Sequence, residues 1–180
     1  MILDRRRVLS NLFDRLYGGT VIRNDLRGEL VEEIVGMALA PEWKLCGSDW
    51  SSCDLQHAES GLRIQVKQSA ARQSWAPGNR GHVQPRFSVA AKTGRYEGAN
   101  WIAGEGRNAE IFVFAWHGVT GPECDHANPE QWTFYVVAEA ELPAQKSVGL
   151  VQIERIADPA TFHNLRDAVG GLANKLTRLP

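Results

Sequence analysis

Asp54 and the tripeptide Gln65-Val66-Lys67 are the residues of this chain best suited to chemistry. They fall on two strand-like runs, 50–57 and 62–69, joined by Ala58-Glu59-Ser60-Gly61. A short loop containing glycine fits a hairpin. Pairing His57 with Leu62 puts Asp54 opposite Gln65. Side chains alternate along a strand, so Asp54, Gln56, Arg63, Gln65 and Lys67 share one face. Cys53, Leu55, Leu62, Ile64 and Val66 share the other, which reads as core. Opposed Cβ atoms lie about 5 Å apart, close enough for one cation to touch both side chains. The Asp54 carboxylate, the Gln65 amide oxygen and the Val66 carbonyl are hard oxygen donors of the kind magnesium takes while keeping several waters. Such a cation activates water, and Lys67 could hold that water or neutralise a phosphate. The chemistry is metal-assisted hydrolysis of a phosphodiester. An ordinary hairpin with one solvated face has the same alternation, so the rest of the chain has to add weight.

A third acid is available on a helix read over residues 25–40. Leu26, Leu30, Val31, Ile34, Val35, Ala38 and Leu39 form its apolar stripe, and Pro41 follows its end. Glu29, Glu32 and Glu33 lie off the stripe. Glu32 and Glu33 fall on its opposite borders, so helical pattern does not choose between them, and glutamates near a helix N-terminus are favoured anyway.

The other elements follow from periodicity. Val8, Leu9, Leu12, Phe13 and Leu16 predict a helix over 6–16, ended by Gly18-Gly19. Residues 72–84 read as a loop and 86–92 as a short strand. The apolar run 111–119 suits a central buried strand. Further strands are expected at 131–138 and 148–156. Asp158-Pro159 predicts the start of a last helix, striped by Phe162, Leu165, Val169, Leu172 and Leu176. Helices, a hairpin, strands and a helix in that order describe an α/β sandwich with a mixed sheet.

Bulk composition narrows the classes. The 180 residues suit one domain with an ample core. A net charge of −1 excludes a large basic field, leaving nucleic acid only a local patch. Three widely spaced cysteines argue for a reducing compartment rather than a disulfide scaffold. No signal peptide is expected from MILDRRRVLSNLF, and no run approaches the ~20 apolar residues of a membrane span.

Arg27-Gly28-x-x-Val31-Glu32, then Asp54, then Gln65-x-Lys67, resemble the PD-(D/E)xK nuclease superfamily. The Gln-x-Lys variant is similar to that of methylation-dependent restriction endonucleases. VKQSAARQSW and RNAEIFVFAWHG…PEQWTFYVV resemble a group of bacterial proteins within the superfamily, and the likeness covers most of residues 27–156. It implies a restriction-endonuclease-like three-layer sandwich, a mixed central sheet flanked by helices, over one domain spanning 1–180. The N-terminal helices would occupy 6–40, the sheet core 50–156 and the C-terminal helix 159–176. It implies Glu32 as the helix acid, Asp54 and Gln65 at the metal, and Lys67 as the catalytic lysine. The activity implied is Mg²⁺- or Mn²⁺-dependent cleavage of DNA in restriction, defence or repair, with a homodimer for double-strand cuts; the cysteine usage adds the expectation of a cytoplasmic protein. Cys53 stands where a proline often precedes the aspartate. Gln65 replaces an acid and would hold magnesium less tightly. The alternative is therefore a catalytically silent nuclease-fold module for nucleic-acid binding or protein assembly.

Other sets compete weakly. Cys46, Cys53 and His57 lack a zinc spacing. His117, Cys124 and His126 could meet around a loop near Asp125, without the usual Cys-x-x-Cys pair. Cys124 as a nucleophile lacks an identifiable base. Trp75, Arg95, Tyr96 and Trp101 could stack bases or pack under a loop.

Overall fold

Two amphipathic helices open the chain in a computed structural model that describes residues 4–46, 52–75, 84–97 and 100–178, without the side chains of 95–97. α1 (Arg5–Tyr17) is capped by Asp4, whose carboxylate accepts from the Arg6 N–H at 2.9 Å. Its stripe stays outside: Val8 is 53% and Phe13 63% exposed, and no residue of α1 is buried. α2 (Asn24–Leu39) buries Val31, Ile34, Val35, Ala38 and Leu39, most of the stripe expected of it.

The strands follow as β1 (Trp43–Leu45), β2 (Leu55–His57), β3 (Arg63–Ala70), β4 (Arg86–Ser88), β5 (Lys92–Glu97), β6 (Asn100–Gly106), β7 (Ile111–His117), β8 (Trp132–Ala138) and β9 (Ser147–Gly149). A one-turn helix α3 (Leu150–Ile153), β10 (Pro159–Ala160) and α4 (Leu165–Arg178) complete the order. Among the described residues the main sheet is six-stranded, β1-β2-β3-β7-β8-β10, with β3 and β7 parallel and the other neighbours antiparallel. The architecture is thus mixed α/β.

Each face of the sheet carries its own core. Ile64 and Val66 of β3, with Ile111, Val113 and Ala115 of β7, pack against α2 and against Leu165 and Val169 of α4. Phe112 and Phe114 of β7 turn the other way, onto Phe87, Val89, Val148 and Ile153. Both long packed helices therefore lie on one face, while the β4–β9 pair and α3 cover the second. Gln65 and Lys67 stand beside Phe112 and Phe114 in the β3–β7 register, so they belong to that second face.

Two expectations need correction. The strand expected over 148–156 is three residues of strand followed by α3. Residues two apart share a strand face, yet Val151 is exposed and Ile153 buried. The turn is closed by the Gln152 side chain, whose Oε1 accepts from the Gly149 N–H at 3.0 Å. The last helix starts at Leu165 rather than at Pro159. Pro159 and Ala160 instead pair with Tyr135 and Phe134 at the sheet edge, where a proline removes no needed ladder bond. Asn164 then closes the turn into α4, accepting from the Thr161 N–H at 2.7 Å. Residues 50 and 51 of the first hairpin run, and 76–83 of the loop, lie outside the described residues.

Candidate active site

The hairpin has the register that its alternation implies: Leu55 faces Ile64 and Gln56 faces Arg63. Regular strand ends there. Asp54 sits in a bend one residue before β2, its N–H bonded to the Ile64 carbonyl at 2.9 Å. Beyond Ile64, no described β2 residue pairs with β3, and the Asp54 side chain takes over. Its Oδ2 accepts from the Val66 backbone N–H at 2.6 Å and from Gln65 Nε2 at 2.5 Å. A strand residue points its N–H and C=O to the same side. The Val66 carbonyl therefore projects toward Asp54 as well. This sheet edge is where the α2 face and the Lys67 face of β3 meet.

Charge links the remaining groups. The Glu32 carboxyl is pushed up to about 7, by burial first and then by the negative charges of Asp54 and Glu29, with Lys67 opposing. Burial also raises Asp54, against the pull of Lys67, the two hydrogen bonds and Lys92. Lys67 is lowered by burial, while Asp54 and Glu32 favour its charge and Lys92 disfavours it. Glu32 is half-buried and Glu33 exposed, so of the two acids that helical pattern left tied, Glu32 lies in the field of Asp54 and Lys67. Lys92, at the start of β5, is a further cation that motif spacing did not pick out. It lies 25 positions beyond Lys67 in a Gly-containing stretch without a signature.

The donors fit a divalent cation. Two acids, Asp54 raising the proton affinity of Glu32, a backbone carbonyl at the strand edge and a side-chain amide are the hard oxygen set of a magnesium site. Gln65 turns its amide N–H to Asp54, which lets a neutral side chain face the carboxylate without repulsion.

Glu32 has a testable pH signature. Its ordinary carboxyl value is 4.5 and its folded value about 7. An acid raised on folding lends stability below its unfolded pKa, and that stability is lost as pH rises through the folded one. Without metal, the contribution of Glu32 to wild-type stability should fall between about pH 4.5 and 7. Glu32→Gln, neutral throughout, should lose roughly 1–2 kcal/mol less over that window, allowing for partial exposure. Thermal melts in chelator check this, and parallel wild-type and variant curves would count against it.

No family model matches the chain, and no curated protein matches it. Among solved structures it is similar to a bacterial homing endonuclease, I-Ssp6803I, with 18% identity, a TM-score of 0.40, and coverage of 74% of this chain and 88% of that one. A likeness of that size decides neither fold nor activity.

A second cluster lies apart. His117, Cys124 and His126 are buried, with ligand atoms within 4.8 Å of one another, compatible in type and spacing with metal use. Their hydrogen bonds suit a structural knot better. His117 Nε2 faces two acceptors, the Asp125 carbonyl at 3.2 Å and Gln131 Oε1 at 3.1 Å, so it carries the proton. His126 Nδ1 accepts from the Ile22 N–H at 3.0 Å, which assigns the proton of the neutral ring to Nε2. Binding metal through Nε2 would require surrendering that bond. Among the described residues Nε2 has no hydrogen-bond partner, although the nearby Arg72 backbone favours protonation of the ring. Burial, then the charges of Arg27 and His117, push His126 down to about 4 and keep it neutral. The knot ties the 121–128 loop to the segment entering α2, with the His126 N–H on the Thr20 carbonyl at 2.8 Å.

Trp75 and Trp101 are 67% and 50% exposed. Among the described residues no helix is long and apolar enough to cross a membrane.

Proposed function

We propose that the chain is a Mg²⁺- or Mn²⁺-dependent endonuclease acting on DNA. The observation that carries this reading is the Asp54 carboxylate, drawn onto the Val66 N–H and the Gln65 amide of β3. Lys67 and Glu32 lie in its field. Asp54, the Val66 carbonyl and Gln65 Oε1 would hold the cation, with Glu32 beside them. The bound ion would supply Lewis acidity and a water of lowered pKa. Lys67, whose charge Asp54 and Glu32 favour against the effect of burial, would neutralise charge building on the phosphate. The resemblance of the Glu32, Asp54 and Gln65-x-Lys67 order to the PD-(D/E)xK superfamily supports the same assignment, and with it restriction, defence or repair as settings. Cutting both strands would take two copies, so a homodimer belongs to the reading.

A nicking assay on supercoiled plasmid tests it. Relaxation with Mg²⁺ or Mn²⁺ and none in chelator is expected. No relaxation with either ion would overturn it and favour the silent nuclease-fold module. The Gln65 amide on Asp54 Oδ2 supports that second reading, because it occupies a metal-facing oxygen.

A further inference from the structure

Arg27 has no exposed surface, and among the described residues none of the hydrogen-bond partners of its guanidinium is an acid. Nε donates to Gln68 Oε1 at 2.7 Å. Nη2 donates to Asn24 Oδ1 at 2.8 Å and to Gln73 Oε1 at 3.1 Å. Nη1 reaches the Ile22 carbonyl at 3.5 Å. Burial lowers its pKa to about 10, so it stays charged at neutral pH. A buried cation held only by neutral amides and a carbonyl is an expensive way to fill space, since apolar residues of similar volume often serve stability as well or better. What a guanidinium adds is direction: a planar fork of donors fixes the angle and distance between the groups it joins.

The fork joins the two elements that carry the candidate site. Gln68 follows Lys67 on β3 and points to the α2 face, as strand alternation requires. Asn24 begins α2, and Gln73 lies just past β3. Glu32 stands five residues further along α2, about 7.5 Å of helix rise from Arg27. The Gln68 side chain also reaches back to α2, its Nε2 lying 3.3 Å from Asn24 Oδ1. The clamp is thus one residue from Lys67 and little more than a helical turn from Glu32, while touching neither.

We propose that Arg27 is a positioning residue: with Gln68 and Gln73 it sets where α2 sits along β3, and so how Glu32 approaches Asp54 and Lys67. The assignment rests on the nuclease reading. It goes beyond that reading by giving a role to Arg27 and to the glutamines of the VKQSAARQSW stretch.

A double-mutant cycle on the full chain tests it, with single-turnover plasmid cleavage at saturating Mn²⁺ so that slow variants stay measurable. Arg27→Met should lower the cleavage rate about tenfold, as small misplacements of reacting groups do, with the KM for DNA within about twofold. In a Glu32→Gln background the same change should lower the rate less than about twofold, because a residue acting through Glu32 has little left to act on. Gln68→Ala, at a half-buried position, runs the same cycle if Arg27→Met does not fold. Equal losses in both backgrounds mean a general structural role and overturn the proposal, as does an unchanged rate. Absence of metal-dependent cleavage in the wild type defeats the nuclease reading and the proposal together. Wild-type cleavage with equal losses defeats the proposal alone.

Discussion

Asp54→Ala and Lys67→Ala should each reduce metal-dependent DNA cleavage by about a thousandfold or more, the cost of removing a principal ligand or the charge facing a reacting group. Asp54 is the carboxylate that reaches both the Gln65 amide and the Val66 N–H. Without it the strand edge keeps only neutral donors, and Glu32 alone would have to hold a doubly charged ion. Lys67→Ala acts differently. It leaves the Asp54 and Glu32 charges facing each other without the cation that now opposes their protonation. That variant should still bind Mn²⁺, while Asp54→Ala should lose most of its affinity. Plasmid nicking read beside calorimetric Mn²⁺ titration separates the two. Cleavage at wild-type rates by both variants would place the chemistry elsewhere in the chain or in another protein of the preparation.

The hairpin could be read from sequence because period-two alternation specifies register, and a slip of one residue would bury Arg63, Gln65 and Lys67. The observed pairing of Leu55 with Ile64 follows from that pattern. What the pattern does not contain is the bend at Asp54, since periodicity describes regular strand and the bend is where strand stops. The choice between Glu32 and Glu33 was closed to helical geometry. It depends on which border of α2 faces the edge of β3, a tertiary fact. The last helix illustrates the reverse error. Asp158-Pro159 has the local form of a helix start, but local signals do not register that β8 has an open edge for Pro159 and Ala160 to fill.

Buried polarity was the least legible property. Arg27 and His126 count as polar in any periodic reading, yet neither has exposed surface. The cysteines mislead for a similar reason. Cys46 and Cys53 are seven positions apart in sequence, and their sulfurs lie 3.4 Å apart where β1 and β2 converge. Burial first, then Cys46, pushes the Cys53 thiol up to about 12. α1 shows the opposite case, an apolar stripe that sequence marks for burial and that the described residues leave exposed.

Gln65→Glu should change sign with metal, and this makes it the sharpest test of the site. Gln65 now donates to Asp54 Oδ2 at 2.5 Å. A glutamate there loses that hydrogen bond and sets two carboxylates face to face in partly buried surroundings, where burial already raises Asp54. Without metal the variant should lose roughly 1–3 kcal/mol of stability at neutral pH. The sign follows from the charges: one carboxyl is forced to take a proton on folding, so the loss grows as pH rises and shrinks in acid. With Mg²⁺ the same two carboxylates become ligands. The added charge should tighten divalent binding on the order of tenfold to a hundredfold. Saturating ion should then return the lost stability, because a ligand that binds only the folded state stabilises it by mass action. Thermal melts of wild type and variant, in chelator and in Mg²⁺, measure both arms. A lower Tm in chelator and a larger Mg²⁺-dependent rise than wild type are expected. A variant that melts like wild type in both conditions would mean that Gln65 faces solvent rather than a cation, and the silent-module reading would replace the enzyme.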